Sequence, residues 1–382
     1  MSNVIQRSFL LLGFLSGALC GGAAGADFRD ASYQGVERVV AVGDAHGDYA
    51  QFATVLRSAG VVGKDEKWTG GKTHLVQTGD IPDRGPDSRK IFDFLRNLEK
   101  QAKDAGGAVH ALIGNHEAMN VYGDLRYVVP GEYAAFRDSN SERVRDLYYE
   151  RFIENLKNAP PLEGFPKFDA QHRKQWDAER PPGFFEHRMA FAPDGVYGKW
   201  IRGHNAIVKI GDSIFLHGGI GPKYADKSIR EINEAVAREL EDFSKLEGGV
   251  ARDEQGPLWY RGLASEDEKA LDAHVQKVLG AHGVKRIVIG HTPTRGAVTA
   301  RFNGRVLLID VGLSKYYGAR SACLIIENGK PFALHRGKRI ELPSDTGADR
   351  LRYLREAATL DPPRSPLMKE IAEVEAALAG KR

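Results

Sequence analysis

The 382-residue chain is 42% hydrophobic and 27% charged, proportions that exclude an intrinsically disordered chain and a fibrous repeat protein. Its 54 Lys and Arg residues nearly balance 51 Asp and Glu residues, and the formal net charge of +3 argues against nucleic-acid binding driven by bulk charge. The length fits one large domain or two small ones, so function has to be inferred from local motifs.

The first 26 residues have the pattern of a cleaved secretion signal. Arg7 precedes an uncharged apolar run, and Ala24-Gly25-Ala26 matches a small-x-small cleavage site. A membrane anchor is the alternative, but glycines interrupt an apolar segment shorter than the roughly 20 residues that a spanning helix needs. We therefore expect export, with a periplasmic location in a Gram-negative bacterium and no stable membrane insertion after cleavage.

The two cysteines are not expected to pair. Cys20 lies in the predicted signal, and Cys323 lies in an apolar run that predicts a buried strand. The mature chain therefore has no partner for an intramolecular disulfide. Because its neighbours are apolar, Cys323 is interpreted as a core residue rather than a nucleophile.

A strand, a polar loop and a helix follow one another three times after the signal. The strand signals are residues 37–42, 74–79 and 108–113. This alternation predicts an α/β layered core, in which functional sites form beyond the carboxyl ends of the strands.

From residue 122 to 199 the sequence is charged and aromatic and lacks strand-like runs, with helix candidates at 132–136 and 142–156. We interpret this stretch as a helical insertion over the site, within a main domain spanning residues 27–345. A polar, partly helical tail is predicted at 346–382. Further strands are predicted at residues 206–209, 213–216, 286–289, 305–311 and 322–326.

Six candidate metal ligands directly follow predicted strands. They combine carboxylate and amide oxygens with imidazole nitrogens, which suits Mn, Fe or Zn better than a structural zinc site built from cysteines. A single Gly-Asp turn or strand-end histidine carries little weight, but recurrence at successive strand ends makes the candidates support one another. They are Asp44, His46, Asp80, Asn115, His217 and His291.

These residues lie in motifs that resemble the signature of calcineurin-like metallophosphoesterases, in the phosphoprotein phosphatase branch. Two shorter segments, residues 123–128 and 257–262, resemble the bacterial Shewanella-like protein phosphatases. The resemblance implies a sandwich of two mixed β-sheets flanked by helices. The motifs are Gly-Asp-Ala-His-Gly at 43–47, Gly-Asp-Ile-Pro-Asp-Arg-Gly at 79–85, Gly-Asn-His-Glu at 114–117, His-Gly-Gly at 217–219 and Gly-His at 290–291.

The resemblance also implies two divalent or trivalent metal ions that share one carboxylate. Two such ions lower the pKa of a water held between them, so that it can attack phosphorus, and they neutralise the phosphoryl oxygens. One ion is assigned to Asp44, His46 and Asp80, and the other to Asp80, Asn115, His217 and His291.

Neighbouring side chains complete the predicted site. Arg84 is expected to clamp the phosphate in a bidentate manner, which a lysine cannot do. His116 is expected to protonate the departing oxygen, and Asp83 to orient His116 and keep it charged. Asn115 and Arg261 are further substrate contacts in this interpretation. Tyr316 and Tyr317 either line the pocket or simply pack, and His204 is interpreted as structural.

The sequence therefore predicts a metal-dependent phosphomonoesterase acting on a phosphorylated protein or peptide, or on a small phosphomonoester. Phosphotyrosine is a plausible substrate by resemblance alone. Hydrolysis of dinucleoside polyphosphates or nucleotides is the main alternative. A metal-dependent binding module without hydrolysis is the second, although a pure binder has no need for the acid His116. Metal identity and oligomeric state are left open.

Overall fold

Twelve strands form the centre of the computed structural model, which describes residues 31–157, 168–343 and 347–380. The predicted signal at residues 1–26 lies outside the described residues. The strands are β1 (Ser32–Tyr33), β2 (Arg38–Val42), β3 (His74–Gln77), β4 (Ala108–Ala111), β5 (Ile207–Ile210), β6 (Ser213–Leu216), β7 (Arg286–Ile289), β8 (Thr299–Arg301), β9 (Val306–Leu308), β10 (Ala322–Glu327), β11 (Lys330–His335) and β12 (Lys338–Glu341).

The strands form two mixed sheets, as the resemblance implies, and each sheet has six strands. The first sheet has the order β12-β11-β10-β2-β3-β4, and the second has the order β1-β5-β6-β7-β9-β8. In the first sheet β2, β3 and β4 are parallel and β10 is antiparallel to β2. In the second sheet β6, β7 and β9 are parallel, β5 is parallel to β1 and antiparallel to β6, and β8 is antiparallel to β9.

Helices flank both sheets and are the regular elements in the described part of the region between β4 and β5. They are α1 (Tyr49–Ser58), α2 (Ser88–Asp104), α3 (Asn115–Tyr122), α4 (Pro130–Ala134), α5 (Ser141–Lys157), α6 (Ala170–Glu179), α7 (Phe184–Phe191), α8 (Val196–Arg202), α9 (Ile229–Glu241), α10 (Gly262–Ser265), α11 (Glu268–His282), α12 (Gly347–Leu360) and α13 (Leu367–Ala379).

The central strands β2, β6 and β7 are apolar after their first residues because both of their faces are covered. Alternate side chains of β2 enter two different apolar clusters. Val39 and Ala41 join a cluster that includes Phe215 of the second sheet, whereas Val40 and Val42 join a cluster rich in helix residues. The core therefore has one layer between the sheets and another beneath the helices.

Two regions of the described chain consist mainly of helices, namely residues 122–199 and the C-terminal tail. Between residues 122 and 199 the described part contains helices and no strand, and α5 matches the helix predicted at 142–156 closely. The tail helices α12 and α13 bury Leu354 and Ile371 in the cluster that lies between the sheets. Among the described residues, no helix is both long and apolar enough to cross a membrane.

Candidate metal centre

Strand order places the predicted ligands at one edge of the sandwich. The parallel strands β2, β3 and β4 are in register at Val42, Gln77 and Ala111, so the loops after them emerge side by side. The strands β6 and β7 are likewise in register at Leu216 and Ile289. All six predicted ligands follow these five strands and are buried, namely Asp44, His46, Asp80, Asn115, His217 and His291.

The backbone around the ligands is tightly folded. Gly79 has a φ of +94°, and a Cβ atom there would lie 2.6 Å from the Cα atom of Gly114. The motif glycines thus allow the β3 and β4 loops to touch. Left-handed backbone at non-glycine residues costs free energy and is characteristic of functional sites. Five predicted site residues adopt it: His46, Asp80, Asp83, Arg84 and His291.

Glu117 ties the same two loops together. One of its carboxylate oxygens accepts the backbone N–H groups of Gly114 and Asp80, each at 2.8 Å, and the other accepts that of Ile81 at 2.7 Å. Hydrogen bonds to a buried carboxylate are stronger than neutral ones. Glu117 belongs to the Gly-Asn-His-Glu motif, and this positioning role was not assigned from sequence.

Backbone carbonyls orient the three ligand histidines. The Nδ1 atoms of His46 and His217 lie 3.2 Å and 2.9 Å from the carbonyl oxygens of Pro82 and Thr78. In His291 the roles are reversed, because its Nε2 atom lies 3.2 Å from the Trp259 carbonyl. Each ring therefore turns its other nitrogen toward the cluster, as in metal sites where a carbonyl fixes the tautomer.

The facing atoms are a donor set suited to cations. The Nε2 atom of His217 lies 2.9 Å from Asn115 Oδ1 and 3.2 Å from Asp80 Oδ1. A cation among these atoms would have oxygen and nitrogen ligands together. Among the described residues, two groups of potential ligand atoms lie within 4.8 Å of one another, and both contain Asp80: His46, Asp80 and His116, and Asp80, His217 and His291.

Asp44 extends the first of these groups. Its Oδ2 atom is buried, has no hydrogen-bond partner among the described residues and lies 3.9 Å from His46 Nε2. Burial raises the pKa of Asp44, and the carboxylates of Asp310 and Asp80 raise it further. Sequence reasoning did not include Asp310, which is buried beside Asp44. A cation would relieve this crowding of buried carboxyl groups.

The pKa values of His46 and Asp80 favour the forms that bind metal. Burial lowers the pKa of His46 to about 3, which keeps the imidazole neutral. Burial alone would raise the pKa of Asp80, but the charges of His116 and His217 outweigh it and bring the pKa below its ordinary value. A neutral His46 imidazole and an ionised Asp80 carboxylate are the protonation states that metal ligation requires.

His116 is paired with a carboxylate beside this donor set. Its Nδ1 atom forms a short hydrogen bond with Asp83, whose other oxygen accepts a 3.0 Å hydrogen bond from Asn120. Burial lowers the pKa of His116, but Asp80 and Asp83 outweigh it and raise the pKa overall. The structure thus brings Asp83 and His116 together as predicted and adds Asn120, four residues along α3.

The two predicted phosphate-binding arginines lie in different places. The Nη2 atom of Arg84 lies 3.4 Å from His116 Nε2, next to the acid. Arg261 instead donates from Nη1 to the carbonyl of His291 at 2.8 Å and to Thr292 Oγ1 at 3.0 Å. Arg84 is therefore at the acid end of the site, and Arg261 is at the end formed by the second ligand group.

Two residues interpreted as structural are engaged elsewhere. His204 contacts a Glu99 carboxylate oxygen at 2.7 Å and the Trp200 carbonyl at 2.5 Å. Cys323 is buried, and burial raises its pKa to about 12. Neither residue faces the cluster of ligands.

Comparisons with known proteins agree with this geometry. Residues 37–295 match the calcineurin-like phosphoesterase family. An uncharacterised Schizosaccharomyces pombe protein is 34% identical over 323 residues, which cover 80% of this chain and 82% of that protein. Shewanella-like protein phosphatase 2 of Arabidopsis thaliana is 32% identical over 285 residues, covering 73% of this chain and 72% of the relative.

Among solved structures, a cold-active protein-tyrosine phosphatase of a psychrophilic Shewanella species superposes with a TM-score of 0.61 and 29% identity. The match covers 81% of this chain and 82% of that one. Family membership also implies metal ions at the donor set described above. The chain therefore belongs to the calcineurin-like phosphoesterase family and is a metal-dependent phosphoesterase.

Proposed function

We propose that this protein hydrolyses phosphomonoesters of proteins or peptides, with phosphotyrosine as a substrate. The observation that carries the proposal is the His116–Asp83 pair, whose imidazole Nε2 atom lies 3.7 Å from the carboxylate of the predicted ligand Asp80. The names of two similar proteins, a protein phosphatase of Arabidopsis and a protein-tyrosine phosphatase of Shewanella, support the substrate class.

The donor set fits two cations. Bound there, two cations supply a water of lowered pKa and offset the negative charge of the phosphoryl oxygens. Oxygen and imidazole ligands together admit Mn, Fe or Zn. The first cation is assigned to Asp44, His46 and Asp80, and the second to Asp80, Asn115, His217 and His291.

The chain's own residues then bind the phosphate and move a proton. Arg84 presents a planar guanidinium to the phosphoryl oxygens, and Asn115 and Arg261 contact the substrate from the other end. His116 donates the proton on Nε2 to the oxygen of the leaving group. Asp83 accepts from Nδ1–H, which fixes the ring and favours its charged form.

Replacing the acid tests this function most directly. In His116→Asn we expect kcat for para-nitrophenyl phosphate and for a phosphotyrosine peptide to fall by roughly 10²- to 10⁴-fold, the usual contribution of general acid catalysis. Metal content after chelation and re-addition of Mn, Zn or Fe should be unchanged. His204→Asn is the matched control, because it removes another carboxylate-paired histidine outside the site.

The outcomes separate the alternatives. Unchanged turnover in His116→Asn would remove the acid role from this residue. Wild-type protein that cleaves a dinucleoside tetraphosphate much faster than either monoester would favour the nucleotide hydrolase. Protein that binds two metal ions and leaves every ester intact would be a binding module.

The proposal includes export to the periplasm. Its support is the basic Arg7, the apolar run and the small residues at Ala24-Gly25-Ala26. The full chain, expressed in a Gram-negative host and isolated from the periplasm, should have a mass that corresponds to a start at Asp27. An uncleaved chain retained in the cytoplasm would contradict export.

A further inference from the structure

Three tyrosine rings surround the guanidinium of Arg84. The Cζ atom of Arg84 lies 4.8 Å from the ring centroid of Tyr127, 5.3 Å from that of Tyr316 and 5.1 Å from that of Tyr317. Such distances allow cation–π contact. Tyr127 comes from the loop after α3, whereas the other two lie almost 190 residues later in a 3₁₀ turn, Lys315–Tyr317. The fold thus assembles this aromatic cleft from two distant segments.

The backbone segments that carry the rings are anchored to the site. The Tyr127 carbonyl accepts the backbone N–H of Arg84 at 3.1 Å. The backbone N–H of Lys315 donates to Asp48 Oδ2 at 2.8 Å, which ties the 3₁₀ turn to the first ligand loop. The backbone of the cleft is therefore held in place without a ligand, which limits the conformational freedom lost on binding.

Two of the rings are exposed where the leaving group must lie. In the described part of the chain only seven large hydrophobic side chains are exposed, and Tyr127 and Tyr316 are two of them, at 38% and 64%. The Tyr127 ring lies 5.0 Å from the His116 ring at an angle of 38°. A group that receives its proton from His116 Nε2 therefore emerges beside Tyr127.

We propose that Tyr127 and Tyr316 select phosphomonoesters whose leaving group is an aromatic ring. The inference rests on the proposed phosphomonoesterase function and assigns its specificity to these side chains. An aryl ring bonded to the ester oxygen can stack on exposed tyrosine rings in an offset or edge-on manner. The methylene group of a phosphoserine ester is too small to contact both rings, so it gains less binding free energy from them.

Non-hydrolysable probes test the cleft without turnover. Phenylphosphonate and methylphosphonate carry the same phosphoryl group on an aryl and an alkyl carbon. Calorimetry with metal-loaded protein should give tighter binding of phenylphosphonate. In Tyr316→Ala and in Tyr127→Leu we expect the aryl-to-alkyl affinity ratio to fall by about two- to tenfold for each ring removed. Tyr316→Phe should keep the wild-type ratio, because the ring is retained.

A control and a second readout make the result decisive. Phe243→Ala removes an exposed ring outside the cleft and should leave the ratio unchanged. The ratio of kcat/KM for phosphotyrosine and phosphoserine peptides of one sequence should follow the phosphonate ratio in each variant. An equal loss for both probes, or no loss, would overturn the proposal and leave the tyrosines as supports for Arg84. Wild-type protein that binds the phosphonates but hydrolyses neither peptide would refute the proposed function and not the specificity of the cleft. The affinity ratio of the two phosphonates measures that specificity without turnover.

Discussion

The ligand loops and the 122–199 insertion contribute to the same site in different ways. Each ligand loop is a few residues long, follows a core strand and is held by contacts with the neighbouring loop, such as those of Glu117. Residues 122–199 contact the site from outside these loops: the Tyr127 carbonyl holds Arg84, and Arg188 donates to the Asn120 carbonyl at 2.5 Å. The metal end of the site, with the predicted ligands, is thus built by loops that follow core strands. The proposed acid and phosphate-binding end, with His116 and Arg84, also depends on residues 122–199.

A buried polar cluster marks the boundary between the two regions. Ser88, Glu132 and His187 are all fully buried, and His187 Nε2 lies 3.8 Å from Glu132 Oε1. The Glu132 carboxyl lies next to the Ser88 hydroxyl and the Asp83 backbone, but neither of its oxygens makes a hydrogen bond of ordinary geometry within the described residues. Glu132 therefore supports, from beneath, the loop that carries Asp83.

The largest effect is expected at the centre of the ligand loops. Asp80 belongs to both groups of ligand atoms, so Asp80→Asn should weaken the binding of both ions by at least about 100-fold. Metal content after dialysis and titration with Mn would measure it. Asp65→Asn, which changes an exposed loop carboxylate, is the control. Loss of one ion with full retention of the other would show that Asp80 does not bridge them.

Much of the metal end was predictable because each ligand lies in a short motif at the end of a predicted strand. The strands Ser213–Leu216 and Arg286–Ile289 occur where predicted, and a histidine follows each strand within two residues. The Gly-Asn-His-Glu motif places Asn115 and His116 at the start of a helix, and Asn120 follows at the i+4 spacing of the same face. The helical periodicity therefore predicts Asn120 beside His116.

The acid and phosphate-binding end was less predictable because its partners are distant in sequence. Nothing local distinguishes Glu132 from a surface glutamate on a short helix, and only the fold places it under Asp83. The same holds for Tyr316, which follows Arg84 by more than 230 residues. The edge strand Thr299–Arg301 has only 3 residues, too few for an alternating pattern to appear.

Variants of Glu132 test whether residues 122–199 position the loop that carries Asp83. Burial raises the pKa of Glu132, and the Asp83 carboxylate raises it further, which favours the neutral carboxyl group. Glu132→Gln resembles this neutral form and should keep near-wild-type kcat. Glu132→Ala leaves a cavity under the Asp83 loop and should lower kcat by about tenfold through misplacement of the acid. Metal affinity should be unchanged in both variants.

Steady-state kinetics with para-nitrophenyl phosphate, beside metal titration, distinguishes these expectations. Reduced metal affinity in Glu132→Ala would mean that the insertion also supports the ligand loops. The distinction between the two regions would then be lost. Equal kcat values for the alanine and glutamine variants would show that Glu132 has no positioning role.

The smallest expected effect concerns stability and its dependence on pH. Burial lowers the pKa of His187 to about 3, and the nearby Arg188 charge contributes. Its ring packs against those of Tyr133, Phe136 and Phe191, and Glu132 is the one carboxyl group in salt-bridge range of it within the described structure. Between pH 6.5 and 3 the unfolded chain binds a proton at His187 that the folded chain does not, so folding stability falls as the pH falls.

His187→Phe removes this linkage and keeps an aromatic ring in the same aromatic surroundings. As the pH falls from 7.5 to 5, the unfolding free energy of the variant should rise by about 2 kcal/mol relative to that of wild type. The reason is that pH 5 lies about 1.5 units below the ordinary histidine pKa. Urea unfolding at both pH values measures the difference, and other titrating groups cancel in it. His172→Phe, a partly exposed histidine of the same insertion, should show no such gain. A variant that loses stability relative to wild type at pH 5 would mean that His187 is charged and paired with Glu132, and that this boundary is held by an ion pair.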